Sequence, residues 1–192
     1  MSPVEDDKAA LRLRFRATRD AQDGPTREAA SASICRHLEA FCRSRRIRRV
    51  AAFWPLGSEP DLRPLVATRT DWLWSFPRIS STEPPRLVWG CEPLEPGLWG
   101  LMEPALAQHF LPPAELLLVP GLAFDAEGHR LGYGKGFYDA LLDRLDEGLP
   151  ALGIGFASQR TFRLPQQPRD QPVHGLVTEQ GLEWFGRPTS EA

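Results

Sequence analysis

Cysteine is scarce in this sequence, and its spacing excludes two classes of small, cross-linked protein. The three cysteines are an odd number and include no C-x-x-C pair, so neither a fully paired disulfide scaffold nor a zinc ribbon fits. The four histidines are scattered, which argues against a metal site built from soft ligands. Cys35 and Cys42 share one face of a predicted helix, and we expect both thiols to be buried.

Long hydrophobic runs are also missing. A helix that crosses a bilayer needs about 20 consecutive apolar residues, whereas the longest apolar run here extends only from Leu116 to Phe124. Residues 1–8 are polar and acidic and do not resemble a secretory signal. We therefore expect a cytoplasmic protein without a membrane partner. The 192 residues, 42% of them apolar, predict a single monomeric domain over 1–192 with a frayed tail at 188–192.

The sequence has no surplus of positive charge. Its formal net charge is -2, whereas general nucleic-acid binders usually carry a strong basic excess, so we expect no nucleic-acid partner. One basic segment keeps a second interpretation open, either as the surface of an RNA-binding accessory protein or as the solvated end of a helix. Its arginines are Arg36, Arg43, Arg45, Arg46, Arg48 and Arg49.

Apolar periodicity predicts helices that alternate with strands. Helices are predicted over 5–20, from Thr26 to about Arg45, from Glu59-Pro60-Asp61 onward, and from Phe137 to about Glu147. Strands are predicted over 50–54, 71–76, 86–89, 116–119 and 151–156, with 173–177 as a further candidate and a loop at 77–85. Several strands are apolar throughout, which predicts an α/β fold, a three-layer sandwich whose largely parallel sheet is covered on both faces. The first helix also carries a basic stripe of Lys8, Arg12, Arg16 and Arg19.

A glycine-rich loop directly precedes the helix predicted from Phe137. Glycine amides can point at an anion, and the start of a helix adds about half a positive charge, so we expect phosphate to bind there. The glycines are Gly132, Gly134 and Gly136. The loop matches neither the Walker A motif nor G-x-G-x-x-G, because His129 and Phe137 stand where those motifs have glycine.

Charged residues in and around this loop strengthen the phosphate hypothesis. Arg130 and Lys135 add full positive charges, and Lys135 is one of only two lysines in the sequence. A flexible connection with Lys135 in solvent is the alternative interpretation. Asp139 in the first turn of the helix either compensates the helix dipole or serves as a magnesium ligand.

Several segments together resemble the 5-formyltetrahydrofolate cyclo-ligase family, also called methenyltetrahydrofolate synthetases. Residues 118–125, LVPGLAFD, and 128–139, GHRLGYGKGFYD, resemble the family hallmark. Further similar segments follow the family order: Lys8 with Leu11-Arg12, PLGSEPD at 55–61, WGLMEP at 99–104, GIGF at 153–156 and VTE at 177–179.

The resemblance implies a fold like that of the sugar-phosphate isomerase and CoA-transferase group. It also implies ATP- and Mg²⁺-dependent cyclisation of 5-formyltetrahydrofolate to 5,10-methenyltetrahydrofolate, giving ADP and phosphate. In the family, the N5-formyl oxygen attacks the γ-phosphate of ATP, N10 closes on the activated carbon, and phosphate leaves. The expected substrate partner is a reduced folate, with or without a polyglutamate tail.

Matching residue by residue to the family motifs implies a set of site residues. ATP would be held by Lys8, Arg12, Arg130, Leu131, Gly132, Tyr133, Gly134, Lys135, Gly136, Phe137 and Tyr138. Of these, Arg130, Lys135 and Tyr138 would be catalytic, while Asp139 and Asp170 would reach Mg²⁺. Folate would be held by Trp54, Glu59, Trp99, Tyr133 and Phe137.

Some of these positions have other readings. Without the motif, Glu59 fits a helix start, and the two tryptophans fit the core as well as they fit a pterin site. His174 stands four residues after Asp170, where some family members carry a second acid, and members vary at positions 133 and 135.

Overall fold

A seven-stranded sheet forms the centre of the protein. The structure is a computed structural model that describes residues 3–108, 112–145 and 148–185. The strands are β1 (Arg49–Ala51), β2 (Leu73–Thr82), β3 (Pro85–Gly90), β4 (Leu94–Pro96), β5 (Met102–Pro104), β6 (Leu116–Pro120), β7 (Ala123–Phe124), β8 (Arg130–Leu131), β9 (Ala151–Ile154), β10 (Gly175–Thr178) and β11 (Gly181–Trp184). The helices are α1 (Pro3–Asp20), α2 (Gly24–Ser44), α3 (Arg63–Thr68) and α4 (Phe137–Leu142), with 3₁₀ turns at Leu98–Gly100 and Ala157–Gln159.

The strand order in the sheet is β11-β10-β9-β6-β1-β2-β3. The five inner strands run parallel, and only the two edge strands, β3 and β11, are antiparallel to their neighbours. The prediction of a largely parallel sheet is therefore confirmed. Two small hairpins, β4–β5 and β7–β8, lie outside this sheet.

Alternate residues of the buried strands face two different cores. In β6, Leu116 and Leu118 join the cluster that contains residues of α2 and α3, whereas Leu117 and Val119 join the cluster against which α4 packs. Side chains alternate between the faces of a strand, so both faces of the sheet are covered, as the apolar runs predict. The result is helix, sheet and helix in three layers.

Cys35 and Cys42 lie on the inner face of α2, as predicted, and both are buried. Burial raises the pKa of these thiols, to about 11 for Cys35 and about 12 for Cys42. Among the described helices, none has the length and apolar character required to cross a membrane.

Two helix starts differ from the sequence prediction. Asp23, not Thr26, caps α2, because its carboxylate accepts from the Thr26 backbone N–H at 2.9 Å. The third helix begins at Arg63, so Glu59 lies before it and does not mark a helix start. The explanation of Glu59 as helix-start electrostatics is therefore wrong.

Other element bounds also differ. The predicted loop at 77–85 belongs instead to the β2–β3 hairpin. Strand β1 pairs with β2 only as far as Ser75, so Pro77 has a neighbouring strand, β3, on one side only. Proline, which lacks a backbone N–H, is tolerated at such an edge position. The first strand ends at Ala51 rather than Trp54, and α4 has six residues rather than the predicted eleven or so. The predicted tail at 188–192 lies outside the described residues.

Candidate active site

One cavity of about 340 Å³ is lined by every residue that the sequence predicts for the site. These residues are Lys8, Arg12, Trp54, Glu59, Trp99, the whole segment 130–139, and Asp170. The cavity lies where parallel strands end, since Phe53 and Trp54 follow β1 and Pro120 is the last residue of β6. Segments that are distant in sequence thus surround a single space, and the role of each residue stays a prediction.

The glycine-rich loop needs its glycines for backbone shape and for room. Gly134 and Gly136 have φ of +87° and +72°, values that favour glycine. A Cβ at Gly134 would also lie 3.2 Å from Cζ of Arg12, and one at Gly132 would lie 2.6 Å from Nη1 of Arg130. The glycines therefore let two guanidinium groups approach the loop backbone. Because α4 is short, these full charges dominate over any helix dipole.

Arg130 and Tyr138 line the cavity, and each leaves one buried polar atom without a hydrogen-bond partner among the described residues. Nη2 of buried Arg130 donates to Asp139 at 2.8 Å, and Nη1 donates to the Pro120 carbonyl at 3.4 Å. In the part of the chain that is described, Nε of Arg130 and the Tyr138 hydroxyl are buried without a hydrogen-bond partner. Unpaired buried donors are costly, so both atoms fit a ligand that accepts hydrogen bonds.

Helix α1 brings three cations to the same cavity, Lys8, Arg12 and Arg16. Lys8 is buried and forms an ion pair with Asp170, whose carboxylate also accepts from the Gln167 N–H at 2.7 Å. Arg12 donates from Nε to the Gly132 carbonyl at 3.1 Å and from Nη1 to Glu5 at 2.9 Å. The glycine-rich loop is thus attached directly to α1.

The two predicted metal ligands are both ion-paired. Asp139 contacts Arg130, and Asp170 contacts Lys8. Within the described residues, no group of three or more His, Cys, Asp or Glu side chains could hold a metal ion. Two carboxylates beside the predicted phosphate site fit Mg²⁺, which usually takes one or two carboxylates together with phosphate oxygens and water.

His174 does not belong to this site. It is not among the residues that line the cavity, and its Nδ1 accepts from the Ala151 backbone N–H at 2.8 Å. Burial lowers the pKa of His174, which favours the neutral ring that can accept this bond. The histidine has a structural contact of its own, separate from the predicted metal position.

Glu59 lies at the centre of a buried hydrogen-bond network. One carboxylate oxygen accepts from the Leu56 N–H at 2.9 Å, and the other accepts from the Tyr133 hydroxyl. Arg19 donates to that hydroxyl at 2.9 Å and to Ser58 Oγ at 2.9 Å. Burial raises the pKa of Glu59, while the bonds from Tyr133 and Leu56 and the charge of Arg19 oppose the rise.

Aromatic side chains form another part of the wall. Trp54 packs edge-on against Phe76, with ring centroids 5.5 Å apart, so it belongs to the core as well as to the cavity. Trp99 is 54% exposed and is not a core residue. Lys135 is exposed, and its Nζ lies 5.2 Å from the Trp99 ring centroid, over the aromatic face.

Several residues that line the cavity were assigned no site role from the sequence, although some of them stand within the matched motifs. Most are apolar, namely Phe53, Leu56, Pro77, Ile79, Leu87, Leu101, Met102 and Pro120, and two are charged, Arg16 and Glu103. Glu103 is buried and accepts from the Ile79 N–H at 3.1 Å. Glu103 stands inside a matched motif, but its burial follows from the β4–β5 hairpin, which the sequence pattern did not predict.

The basic segment 36–49 lies outside the cavity lining, and several of its arginines are neutralised by nearby carboxylates. Three of its arginines form ion pairs with carboxylates, Arg43 with Glu39, Arg48 with Asp71 and Arg49 with Glu115. Paired arginines have less charge to offer a phosphate backbone, which favours the solvated helix end over the RNA-binding interpretation.

Comparisons with known proteins agree with this geometry. The model of the 5-formyltetrahydrofolate cyclo-ligase family matches residues 4–179. A 5-formyltetrahydrofolate cyclo-ligase of Mycolicibacterium smegmatis is 31% identical over 149 residues, which cover 70% of this chain and 76% of the relative. One of Haemophilus influenzae is 35% identical over 89 residues, which cover 44% of this chain and only 48%, about half, of the relative.

Similarity to a solved structure extends over more of the chain. The 5,10-methenyltetrahydrofolate synthetase of Aquifex aeolicus has a TM-score of 0.81 and 30% identity, and the match covers 96% of each chain. These names agree with the predicted ligase activity in folate metabolism. The family inferred from the motifs is confirmed, and the chain belongs to the 5-formyltetrahydrofolate cyclo-ligase family.

Proposed function

We propose that this protein closes 5-formyltetrahydrofolate to 5,10-methenyltetrahydrofolate with ATP, giving ADP and phosphate. The observation that carries the proposal is one cavity that joins the cations of α1 and the glycine-rich loop to a buried carboxylate and an aromatic wall. The enzyme acts as a cytoplasmic monomer, and its folate is free to carry a polyglutamate tail.

The nucleotide lies on the side of α1 and the glycine-rich loop. Lys8, Arg12, Arg130 and Lys135 surround the phosphates there, and the free Nε of Arg130 and the Tyr138 hydroxyl supply donors that have no partner within the protein. A hydrogen bond to a charged group contributes about 1.5–3 kcal/mol, so a few such bonds account for a micromolar nucleotide affinity.

Asp139 and Asp170 would hold Mg²⁺, whose charge would offset that of the nucleotide phosphates. These carboxylates also pair with Arg130 and Lys8, and so keep both cations at the same part of the cavity.

The folate lies on the side of Glu59. The pterin amino group and ring N–H are donors in one plane, and an ionised carboxylate accepts from both. Trp54, Trp99 and Phe137 provide flat apolar surface for the ring system. Tyr133 lines the cavity between the two halves and contacts Glu59, so it separates folate from nucleotide.

The protein contributes alignment and charge to the chemistry. A formyl amide oxygen is a weak nucleophile, so in-line placement against the γ-phosphate is the main requirement. Arg130, Lys135 and Tyr138 stabilise the charge on the transferring phosphoryl group. The formyl oxygen takes that group from ATP and ADP leaves, N10 then bonds to the activated carbon and loses its proton, and the C–O bond breaks to release phosphate.

A turnover assay tests the proposal. Purified protein with ATP, Mg²⁺ and 5-formyltetrahydrofolate should yield a product that absorbs at longer near-ultraviolet wavelength, with one ADP released per product. Absence of ATP-dependent product at high enzyme concentration would refute the proposal.

Single variants test the two halves separately. Lys8→Ala and Arg12→Ala should raise the KM for ATP most, whereas Glu59→Gln should raise the KM for folate. Equal ATP affinity in all three variants would contradict the residue assignments.

A further inference from the structure

Arg19 is a buried cation that lies outside the cavity wall but touches a residue on it. Its side chain is only 4% exposed, although it belongs to the basic stripe of α1. We propose that Arg19 is a positioning residue for the folate site, acting through Tyr133 to hold the Glu59 carboxylate oriented and ionised. The identity of the ligand in this inference rests on the proposed function.

The geometry forms an unbroken chain of contacts from α1 to Glu59. Nη1 of Arg19 donates to the Tyr133 hydroxyl at 2.9 Å, and that hydroxyl donates its own proton to Glu59. Nε of Arg19 donates to Ser58 Oγ at 2.9 Å, and Ser58 in turn donates to Asp20. With two of its nitrogens bonded in fixed directions, the guanidinium group has little freedom to turn away from Tyr133.

The charges around Glu59 make Arg19 important for its ionisation. Among the described residues, Arg19 is the only cation in an ion pair with Glu59, with Nη1 3.9 Å from Oε1. Arg16 also approaches Tyr133, with Cζ 5.6 Å from the ring centroid against 5.8 Å for Arg19, and it lines the cavity. The other polar groups that face Glu59 are the Leu56 N–H and the Tyr133 hydroxyl. The Tyr138 hydroxyl is also within electrostatic range, and burial raises its pKa, so it is neutral.

An ionised Glu59 is what a pterin requires. The ligand presents N–H donors, and a protonated carboxyl would place a donor of its own against them. Burial favours the protonated form of Glu59, whereas a nearby cation favours the charged form. Removal of Arg19 should therefore raise the pKa of Glu59 and weaken folate binding at a given pH, with little effect on the nucleotide half.

The test compares Arg19→Met with Arg14→Met in the full chain. Arg14 is an exposed arginine on the same helix, and its guanidinium lies over Phe15 outside the cavity. Arg19→Met should raise the KM for folate about tenfold with the KM for ATP changed less than about twofold, and should move the acid limb of kcat/KM for folate upward by about one pH unit. Arg14→Met should leave both values and the limb unchanged.

A double-mutant cycle separates this role from simple structural support. In a Glu59→Gln background there is no carboxylate to ionise, so the folate penalty of Arg19→Met should largely vanish. The same penalty in both backgrounds would overturn the inference.

Arg19→Lys covers the case in which the methionine variant does not fold. It keeps the positive charge but loses the planar guanidinium group that donates in two directions. The acid limb of kcat/KM for folate should therefore stay near its wild-type position, while the KM for folate rises. A limb displaced in the lysine variant by a full unit would also overturn the inference. Failure of the proposed function would look different, because the wild-type protein itself would then give no ATP-dependent product.

Discussion

At the scale of single residues, the two tyrosines of the cavity differ in whether their hydroxyl groups have hydrogen-bond partners in the free protein. Burial, and next the Glu59 charge, raises the pKa of Tyr133 and of Tyr138, so both hydroxyls are neutral near pH 7. A neutral hydroxyl can donate a hydrogen bond but is a poor base. Tyr133 already uses its proton on Glu59, whereas the Tyr138 hydroxyl has no partner among the described residues.

We therefore expect Tyr138→Phe and Tyr133→Phe to differ in their effect on the stability of the free protein. Tyr138→Phe removes a group that makes no hydrogen bond, so the free energy of unfolding of the free protein should change little, while turnover falls because a donor to the phosphate is lost. Tyr133→Phe leaves Arg19 and Glu59 each short of a partner and should lower the free energy of unfolding by about 1–3 kcal/mol.

Denaturant unfolding of the free proteins and initial rates with ATP measure both effects. Each variant is the volume-matched control of the other. Equal destabilisation by the two changes would contradict the difference in bonding.

Residue identity alone could predict some of these roles but not others. Arg130 and Lys135 stand within a glycine-rich motif, so their place on the cavity wall could be predicted from the sequence. Arg19 has no motif, and only the docking of α1 against Ser58 and Tyr133 makes it a buried cation. The contact of His174 with the Ala151 N–H depends on strand pairing far along the chain, which spacing from Asp170 cannot show.

At the scale of elements, α1 serves both halves of the cavity. Its apolar face places Phe15 in a cluster with Leu122 and Leu131, next to the glycine-rich loop. Lys8 and Arg12 line the part of the cavity that we propose for the nucleotide, and Arg19 contacts Tyr133 next to the part that we propose for folate. Helical periodicity predicted the helix and its basic stripe. It could not show which element the stripe packs against, because that depends on tertiary contacts.

The β7–β8 hairpin, which carries Arg130, depends on space left by a glycine of the sheet. A Cβ at Gly153 in β9 would overlap the ring of Phe124 in β7, and Phe124 pairs with Arg130 in the hairpin register. Gly153→Ala should therefore cost about 1–3 kcal/mol through overpacking and should shift Arg130, so that the KM for ATP rises. Gly24→Ala is the control, because nothing lies within 4 Å of its added Cβ.

Urea unfolding and ATP titration of the two variants check this prediction. Wild-type stability and wild-type ATP affinity in Gly153→Ala would show that Phe124 moves aside without disturbing the hairpin.

At the scale of the whole molecule, the sheet explains why motifs distant in sequence meet in one place. The segments around Trp54 and Pro120 follow adjacent parallel strands, whose carboxyl ends lie at one edge of the sheet. Apolar runs such as Leu116–Val119 reveal these strands in the sequence. The strand order does not follow from such runs, because it depends on pairing between segments that are distant in sequence. The hairpins β2–β3 and β4–β5 do not follow from them either, because their strands contain prolines, which strands tolerate only at an edge.

The cavity between α1 and the rest of the protein predicts that nucleotide stabilises the entire fold. A ligand that contacts α1 and the glycine-rich loop binds only the native state, so ATP with Mg²⁺ at about 100 times its Kd should add about 2.7 kcal/mol of stability. For a chain of this size, the corresponding rise in Tm is roughly 5–10 °C. AMP should give a smaller rise at equal concentration, because the cations gather where a triphosphate would lie.

Arg12→Ala provides the matched test, since Arg12 contacts the Gly132 carbonyl and lines the nucleotide side. Thermal unfolding with and without ATP, followed by addition of EDTA, should show a rise in Tm that is reduced in Arg12→Ala and reduced again when the metal is removed. A rise of equal size for AMP and ATP, or one that Arg12→Ala leaves intact, would place the nucleotide elsewhere on the protein. The outcome thus decides whether α1 and the glycine-rich loop act together as a phosphate clamp.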